Sequence, residues 1–130
     1  MTVPADRAVQ RAGLDTAALM VAGVSLRRMP RVMQVVIGRR VRAITLNRRI
    51  FISASRFDAV VAGKDPVLLV HELIHVGQWA DYGAFFFILR YLSEYLRLRM
   101  LGVSHDAAYR GISFEHAAYD ASKGVEGRAA

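Results

Sequence analysis

Two histidines and a glutamate stand in the otherwise apolar stretch VLLVHELIHVGQWADYG, which covers residues 67 to 83. His71 and His75 are four residues apart, so in a helix their side chains lie about 40° apart on one face. Both imidazoles could then bind one metal ion, with Glu72 flanking that ion rather than necessarily binding it. In this H-E-x-x-H arrangement the glutamate accepts a proton from a metal-bound water. The spacing therefore predicts a metal site with a base beside it.

A core histidine that only completes a hydrogen bond is the competing interpretation, and for a single histidine on an apolar face we would favour it. Here two histidines stand at ligand spacing with an acid between them. Three ionisable groups are costly to bury unpaired, and a divalent ion would compensate all three. The chain has no cysteine, so a metal must be held by His, Asp and Glu. We predict Zn²⁺ as the cofactor.

The third metal ligand is not decided by the motif, because a catalytic zinc site needs three protein ligands and one open position. Asp81 lies where the longer pattern H-E-x-x-H-x-x-G-x-x-H places its last ligand. That pattern needs a glycine to turn the chain, and Gln78 stands in its place. Glu115, in the first turn of a later predicted helix, can return to the site, and we favour it. His105 and His116 remain alternatives.

The elements around the motif can be predicted from the chain. A helix is expected from about Leu14 to Arg28, closed by Pro30. The segment VRAITLNRRIFIS predicts two antiparallel strands joined by a tight turn at Asn47. Asp65 followed by proline is a good helix start, so the motif helix is expected over Pro66–Ala80. A mainly helical α+β fold follows, with a small antiparallel hairpin or sheet before the motif helix.

A second long helix is predicted in AFFFILRYLSEYLRLRML, after a break at residues 81 to 83. We interpret it as a scaffold whose aromatic residues fill the core or an interface. Ser104 and Ser113 are each placed to cap a further short helix. The second of these helices carries Glu115.

The chain resembles a gluzincin metallopeptidase of the minimal kind, the minigluzincins. The resemblance rests on His71, Glu72, His75 and Glu115, with a strand pair before the motif and a glutamate helix after it. The run HELIHVGQW is also similar to the metallopeptidase-like domain of extracellular contractile injection system core proteins. The resemblance covers roughly residues 41 to 121. It implies that the two histidines and Glu115 bind zinc, that Glu72 is the general base, and that an edge strand holds the peptide.

The glutamate helix departs from the Asn-Glu-x-x-Ser-Asp pattern of that family, since Phe114 replaces the Asn and Asp120 comes one residue late. The expected reaction is hydrolysis of a peptide bond in a peptide or protein substrate. It needs one further donor to the developing oxyanion, for which Tyr109, His105 and His116 are the candidates, and we name Tyr109. The alternative function is a non-catalytic zinc-binding module that acts in binding or assembly, for which a membrane or nucleic-acid surface is one setting.

Composition and charge bound the remaining expectations. A chain of 130 residues is long enough for one compact core. We divide the chain into a basic helical extension (1–40), a zincin-like metallopeptidase domain (41–121) and a flexible tail (122–130). The net charge of +7 belongs to the N-terminal half, whose arginines are scattered rather than clustered. We predict no specific nucleic-acid partner, no transmembrane segment and a cytoplasmic location. Peripheral contact with a membrane and the oligomeric state are left open.

Overall fold

The fold is a mainly helical α+β structure, as predicted, and its small sheet has four strands in mixed orientation. A computed structural model describes residues 2–15 and 19–129, with side chains in those ranges up to residue 123. The strands are β1 (Thr2–Pro4), β2 (Ser25–Arg28), β3 (Ala43–Leu46) and β4 (Arg49–Ile52). The helices are α1 (Ala5–Arg11), α2 (Arg31–Ile37), α3 (Ala54–Val61), α4 (Pro66–Met100), α5 (His105–Gly111) and α6 (Ser113–Ala129).

The sheet has the order β1-β2-β4-β3 and contains the predicted hairpin. β3 and β4 pair in antiparallel fashion around a turn in which Asn47 has a φ of 58°, a conformation that asparagine tolerates better than most residues. β2 pairs in parallel with β4 and antiparallel with β1. The hairpin is therefore confirmed, but the sheet is larger than the pair and mixed. β3 forms one edge of it.

The predicted helix from Leu14 to Arg28 is wrong within the described residues, and its positions 16–18 lie outside them. Ser25–Arg28 is instead the strand β2, because ladder partners on both sides outweigh the helical propensity of the Ala- and Leu-rich segment. Leu26 at the centre of β2 is fully buried. The boundary expected after residue 40 therefore falls within one sheet, because β1 and β2 lie before it and β3 and β4 lie after it. The expected tail (122–130) begins within α6, and Ala130 lies outside the described residues.

One core lies between the sheet and the first helices. It joins residues of the N-terminal segment to the motif helix: Ala5, Ala8, Val9, Val24, Leu26, Ile50, Ile52, Phe57, Val60, Leu69, Leu73 and Val76. The N-terminal segment therefore supplies part of the surface on which the motif helix packs. Burial of this apolar surface is the main force that holds α4 against the sheet.

The motif helix α4 begins as predicted and continues further. The Asp65 side chain accepts a hydrogen bond from the Leu68 amide, and Pro66 is the first helical residue. The predicted break appears as a kink at Gly83, whose φ of 75° and ψ of 159° are not helical. The helix resumes after it and ends at Met100. α4 packs extensively on α6, which brings a distant segment to the motif.

A second core cluster lies between the later part of α4 and α6. It contains Trp79, Phe87, Ile112 and Phe114. Ser104 caps α5 as predicted by accepting from the Ala107 amide. Ser113, expected as a cap, is instead the first residue of α6, and its hydroxyl donates to Glu94. This cluster sets the position of the residue that follows it, Glu115.

Candidate metal centre

Two helices bring His71, His75 and Glu115 together. The Nε2 atoms of the histidines lie 3.2 Å apart. Glu115 reaches both from α6, with Oε2 3.2 Å from His71 Nε2 and Oε1 2.9 Å from His75 Nε2. Among the described residues these three form a group of potential metal ligands whose ligand atoms all lie within 4.8 Å of one another. Each of the three residues is at most 8% exposed.

The donor set and its spacing fit a zinc ion. Two imidazole nitrogens and one carboxylate are the ligands of many catalytic zinc sites, which leave a fourth position open. With zinc–ligand bonds of about 2.0 to 2.1 Å, tetrahedral ligand atoms are about 3.3 Å apart. The observed separations of 2.9 to 3.2 Å need to widen only slightly. His71, His75 and Glu115 would hold the ion.

Gln78 connects the second histidine to the glutamate helix. Its Oε1 lies 2.8 Å from His75 Nδ1 and accepts the hydrogen of that nitrogen, so Nε2 is the ring nitrogen that could bind a metal ion. Its Nε2 donates to the Phe114 carbonyl at 2.9 Å, one residue before Glu115. One amide therefore selects the tautomer of His75 and holds α6 in register with α4.

Glu72 lies beside the three ligand residues, where the sheet reaches the motif helix. Thr45, on the edge strand β3, donates to Glu72 Oε2 at 2.6 Å and lies 3.3 Å from the Glu72 carbonyl oxygen. Glu72 is 5% exposed. Burial raises the pKa of Glu72 above its usual 4.5 and outweighs the opposing effects of His75 and the Thr45 hydrogen bond. A raised pKa suits a carboxylate that must accept and release a proton near neutral pH.

The same packing perturbs the charges of the ligand residues. Burial alone would raise the pKa of Glu115, but hydrogen bonds from His71 and His75 outweigh it and lower the pKa to about 2. Burial alone would lower the pKa of His75, but Glu115 and then Glu72 outweigh it and raise the pKa above 6.5. In the absence of metal, a hydrogen on His75 Nε2 thus compensates the Glu115 charge.

Three tyrosines surround the carboxylate of Glu115. The Tyr91 hydroxyl donates to Glu115 Oε1 at 3.2 Å, and the Tyr119 ring packs edge-on against His71, with centroids 4.6 Å apart. Burial raises the pKa of Tyr109 above its usual 10, and the negative charge of Glu115 adds to the effect. All three hydroxyls therefore stay protonated at neutral pH and can act as hydrogen-bond donors. Tyr109, the predicted oxyanion donor, belongs to this group.

The other candidates for the third ligand lie elsewhere. Asp81 is exposed and outside the described group of potential metal ligands. His105 Nδ1 pairs with the Tyr95 hydroxyl at 2.8 Å. His116 faces solvent and lies 3.5 Å from Asp120 on the next turn of α6. Asp120 is thus engaged on the outer side of α6, so Gln78 rather than Asp120 orients a motif histidine.

Thr45 and Tyr91 are the residues of the site that sequence reasoning missed. Thr45 stands in the predicted hairpin, but strand alternation does not say which residue of a helix it meets. Tyr91 was assigned to the apolar filling of the second helix, although a tyrosine carries a polar end that seeks a partner when buried. The hydrogen-bonding role of Gln78 was missed too, although a side chain three residues after His75 lies on the same helix face and can reach it.

A comparison with protein-family models, curated proteins and solved structures finds no match for this chain. Inferences about its function therefore depend on the residues of the site and their geometry.

Proposed function

We propose that this protein is a zinc-dependent metallopeptidase of the gluzincin type that hydrolyses peptide bonds. The observation that carries the proposal is the convergence of His71, His75 and Glu115 within hydrogen-bonding distance, with the Glu72 carboxylate beside them. Zinc held by those three residues would acidify a water molecule and polarise the carbonyl of the scissile bond.

Glu72 is the general base in this proposal. Thr45 holds Oε2 of its carboxylate, and no described residue hydrogen-bonds to Oε1, which leaves that oxygen to take the proton of the attacking water. Glu72 then donates the proton to the leaving amine. The site is largely closed to water, which strengthens the electrostatic interactions within it. Tyr109, whose hydroxyl stays protonated beside Glu115, is the candidate donor to a developing oxyanion.

Two features beside the site support a peptide as the substrate. β3 is an edge strand that carries Thr45, so an extended peptide could pair along it close to Glu72. An open groove of about 600 Å³ runs along the motif helix and is lined by Leu19, Met20, Leu73, Ile74, Gly77 and Gln78 among others. Its mostly apolar lining suits a hydrophobic side chain.

The alternative function, a non-catalytic zinc-binding module, differs from the first in its use of Glu72. Three protein ligands leave a position open, whereas a purely structural zinc site is closed by four. The test measures zinc content and cleavage of a peptide library for wild type and Glu72→Gln, with Glu94→Gln on the same helix as the matched control.

We expect zinc in all three proteins and cleavage in wild type and Glu94→Gln alone. Zinc without any cleavage that depends on Glu72 would contradict the peptidase and support the binding module. Wild-type protein that takes up no zinc would contradict both functions.

A further inference from the structure

The part of α4 after the kink at Gly83 is apolar on two sides. The inward side carries Phe87 and Tyr91, which pack in the second core cluster. The outward side carries a row of large apolar residues that are between 52% and 87% exposed: Phe85, Leu89, Leu92, Leu96 and Met100. Aromatic and leucine side chains in such a continuous exposed row are unusual for an isolated soluble domain.

The row is the centre of an apolar face edged by arginines, and the exposed Phe86 and Ile88 extend that face by about 40° on either side. At about 100° per residue, its five members fall within an arc of about 80° on the helix. Arg99 lies about 20° beyond one border, and Arg97 lies about 60° beyond the other. Both are exposed, whereas the Arg90 guanidinium is held over inward-facing aromatic rings. Long arginine side chains can lie along apolar surface while their charged ends reach outward, so this border suits a boundary between apolar and anionic layers.

Acidic groups are nearly absent from the same part of the helix. Between residues 82 and 105 the chain contains one acidic residue, Glu94. Its carboxylate is half-buried, accepts from the Ser113 hydroxyl and lies 3.7 Å from Arg90. A second copy of the chain on this face would bring arginine borders together without exposed acids to neutralise them. A partner with a negatively charged surface over an apolar interior complements the arginines and the apolar row better than a second copy does.

Helix α2 shows the same chemistry independently. Its valines 32, 35 and 36 are 75% to 78% exposed, and no described residue of the helix is buried. Residues 16 to 57 around it contain nine arginines and no acid. None of the described helices is long and apolar enough to cross a membrane.

We infer that the outward face of α4 between Phe85 and Met100 docks this protein on an anionic lipid bilayer surface. The apolar row inserts at the boundary between headgroups and acyl chains, as interfacial amphipathic helices do, and the bordering arginines bind lipid phosphates. Each arginine near an anionic surface contributes roughly a fivefold gain in partitioning. Each inserted leucine contributes roughly tenfold or more.

Vesicle sedimentation with the full chain tests this inference. Vesicles of phosphatidylcholine alone are compared with vesicles of equal parts phosphatidylcholine and phosphatidylglycerol. We expect wild type to bind the anionic vesicles, with an affinity that weakens as salt is added. The affinity should fall about tenfold or more in Leu92→Ser, and again when Leu96→Ser is added. It should fall about fivefold in Arg97→Gln. These side chains are exposed, so circular dichroism should show folded variants.

Two matched controls are Leu46→Ser, an exposed leucine on β3, and Arg7→Gln, an exposed arginine on α1; both should bind as wild type does. Equal binding of wild type and both leucine variants would mean a diffuse electrostatic contact and would overturn the inference. So would the absence of binding to anionic vesicles. Sedimentation equilibrium that shows a wild-type dimer dissociated by Leu92→Ser, without vesicle binding, would assign the face to a second copy and also overturn it.

Discussion

Replacing Glu115 by glutamine tests the metal site through stability, independently of any substrate. Glu115 is 3% exposed and bonds to both histidines, which lowers its pKa from 4.5 to about 2. That difference corresponds to about 3 kcal/mol of stabilisation of the ionised form in the folded state. A glutamine in its place recovers about 1 kcal/mol through a neutral hydrogen bond. The metal-free variant should therefore lose about 2 kcal/mol of unfolding free energy.

The loss depends on pH in a direction that follows from the pKa values. Because the pKa of Glu115 is lowered, its stabilisation is present above pH 4.5 and disappears as the pH falls towards about 2. Because the pKa of His75 is raised, its share is present below pH 6.5 and disappears as the pH rises through the raised value. Urea unfolding in chelator should show the largest difference between wild type and variant from pH 4.5 to 6.5.

Zinc should change the comparison at higher pH, where the histidines are neutral. At free zinc a hundred times the wild-type dissociation constant, wild type gains about 2.7 kcal/mol. Loss of a ligand that weakens zinc binding about 100-fold leaves the variant a gain of about 0.4 kcal/mol. Asp81→Asn, an exposed acid outside the cluster, should gain as much as wild type. Equal zinc stabilisation of the Glu115 variant, or its loss in the Asp81 variant, would refute the ligand assignment.

Three further substitutions probe the residues that support the site. Thr45→Val should cost about 1 to 3 kcal/mol of unfolding free energy in urea, because it leaves the buried Glu72 without its hydrogen-bond donor. The acidic limb of the pH–rate profile should also move to higher pH, since that hydrogen bond lowers the Glu72 pKa. If the acidic limb does not move, Thr45 does not influence the ionisation of the catalytic base. Gln78→Leu should weaken zinc binding about 10- to 100-fold in a competitive chelator titration; unchanged affinity would mean that the histidine keeps its tautomer unaided. Gly83→Ala should cost about 1 to 3 kcal/mol through backbone strain at a φ of 75°, whereas Gly77→Ala in regular helix should not destabilise; similar melting temperatures for the two would contradict the strain.

Local rules explain the parts of the fold that were predicted correctly. The cap at Asp65, the turn at Asn47 and the cap at Ser104 each depend on residues within a few positions of one another. Strand β2 depends instead on ladder partners 21 to 25 residues away on either side, so a helical composition misled the prediction. The aromatic residues of α4 were expected in the core or an interface without a distinction between Phe87, which is buried, and the exposed Phe85 and Phe86, because apolar composition does not say which helix faces are covered.

The sequence by itself determined that His71 and His75 share a helix face with Glu72 beside it, because helical spacing is a property of four or five consecutive residues. It also narrowed the third ligand to a few acids and histidines. Only the tertiary structure brought Glu115 to the two histidines, placed Thr45 on Glu72, and turned Asp81 to the solvent. Those contacts join residues 27 to 44 positions apart, and their geometry follows from how α4 packs against α6 and β3, which no local pattern encodes.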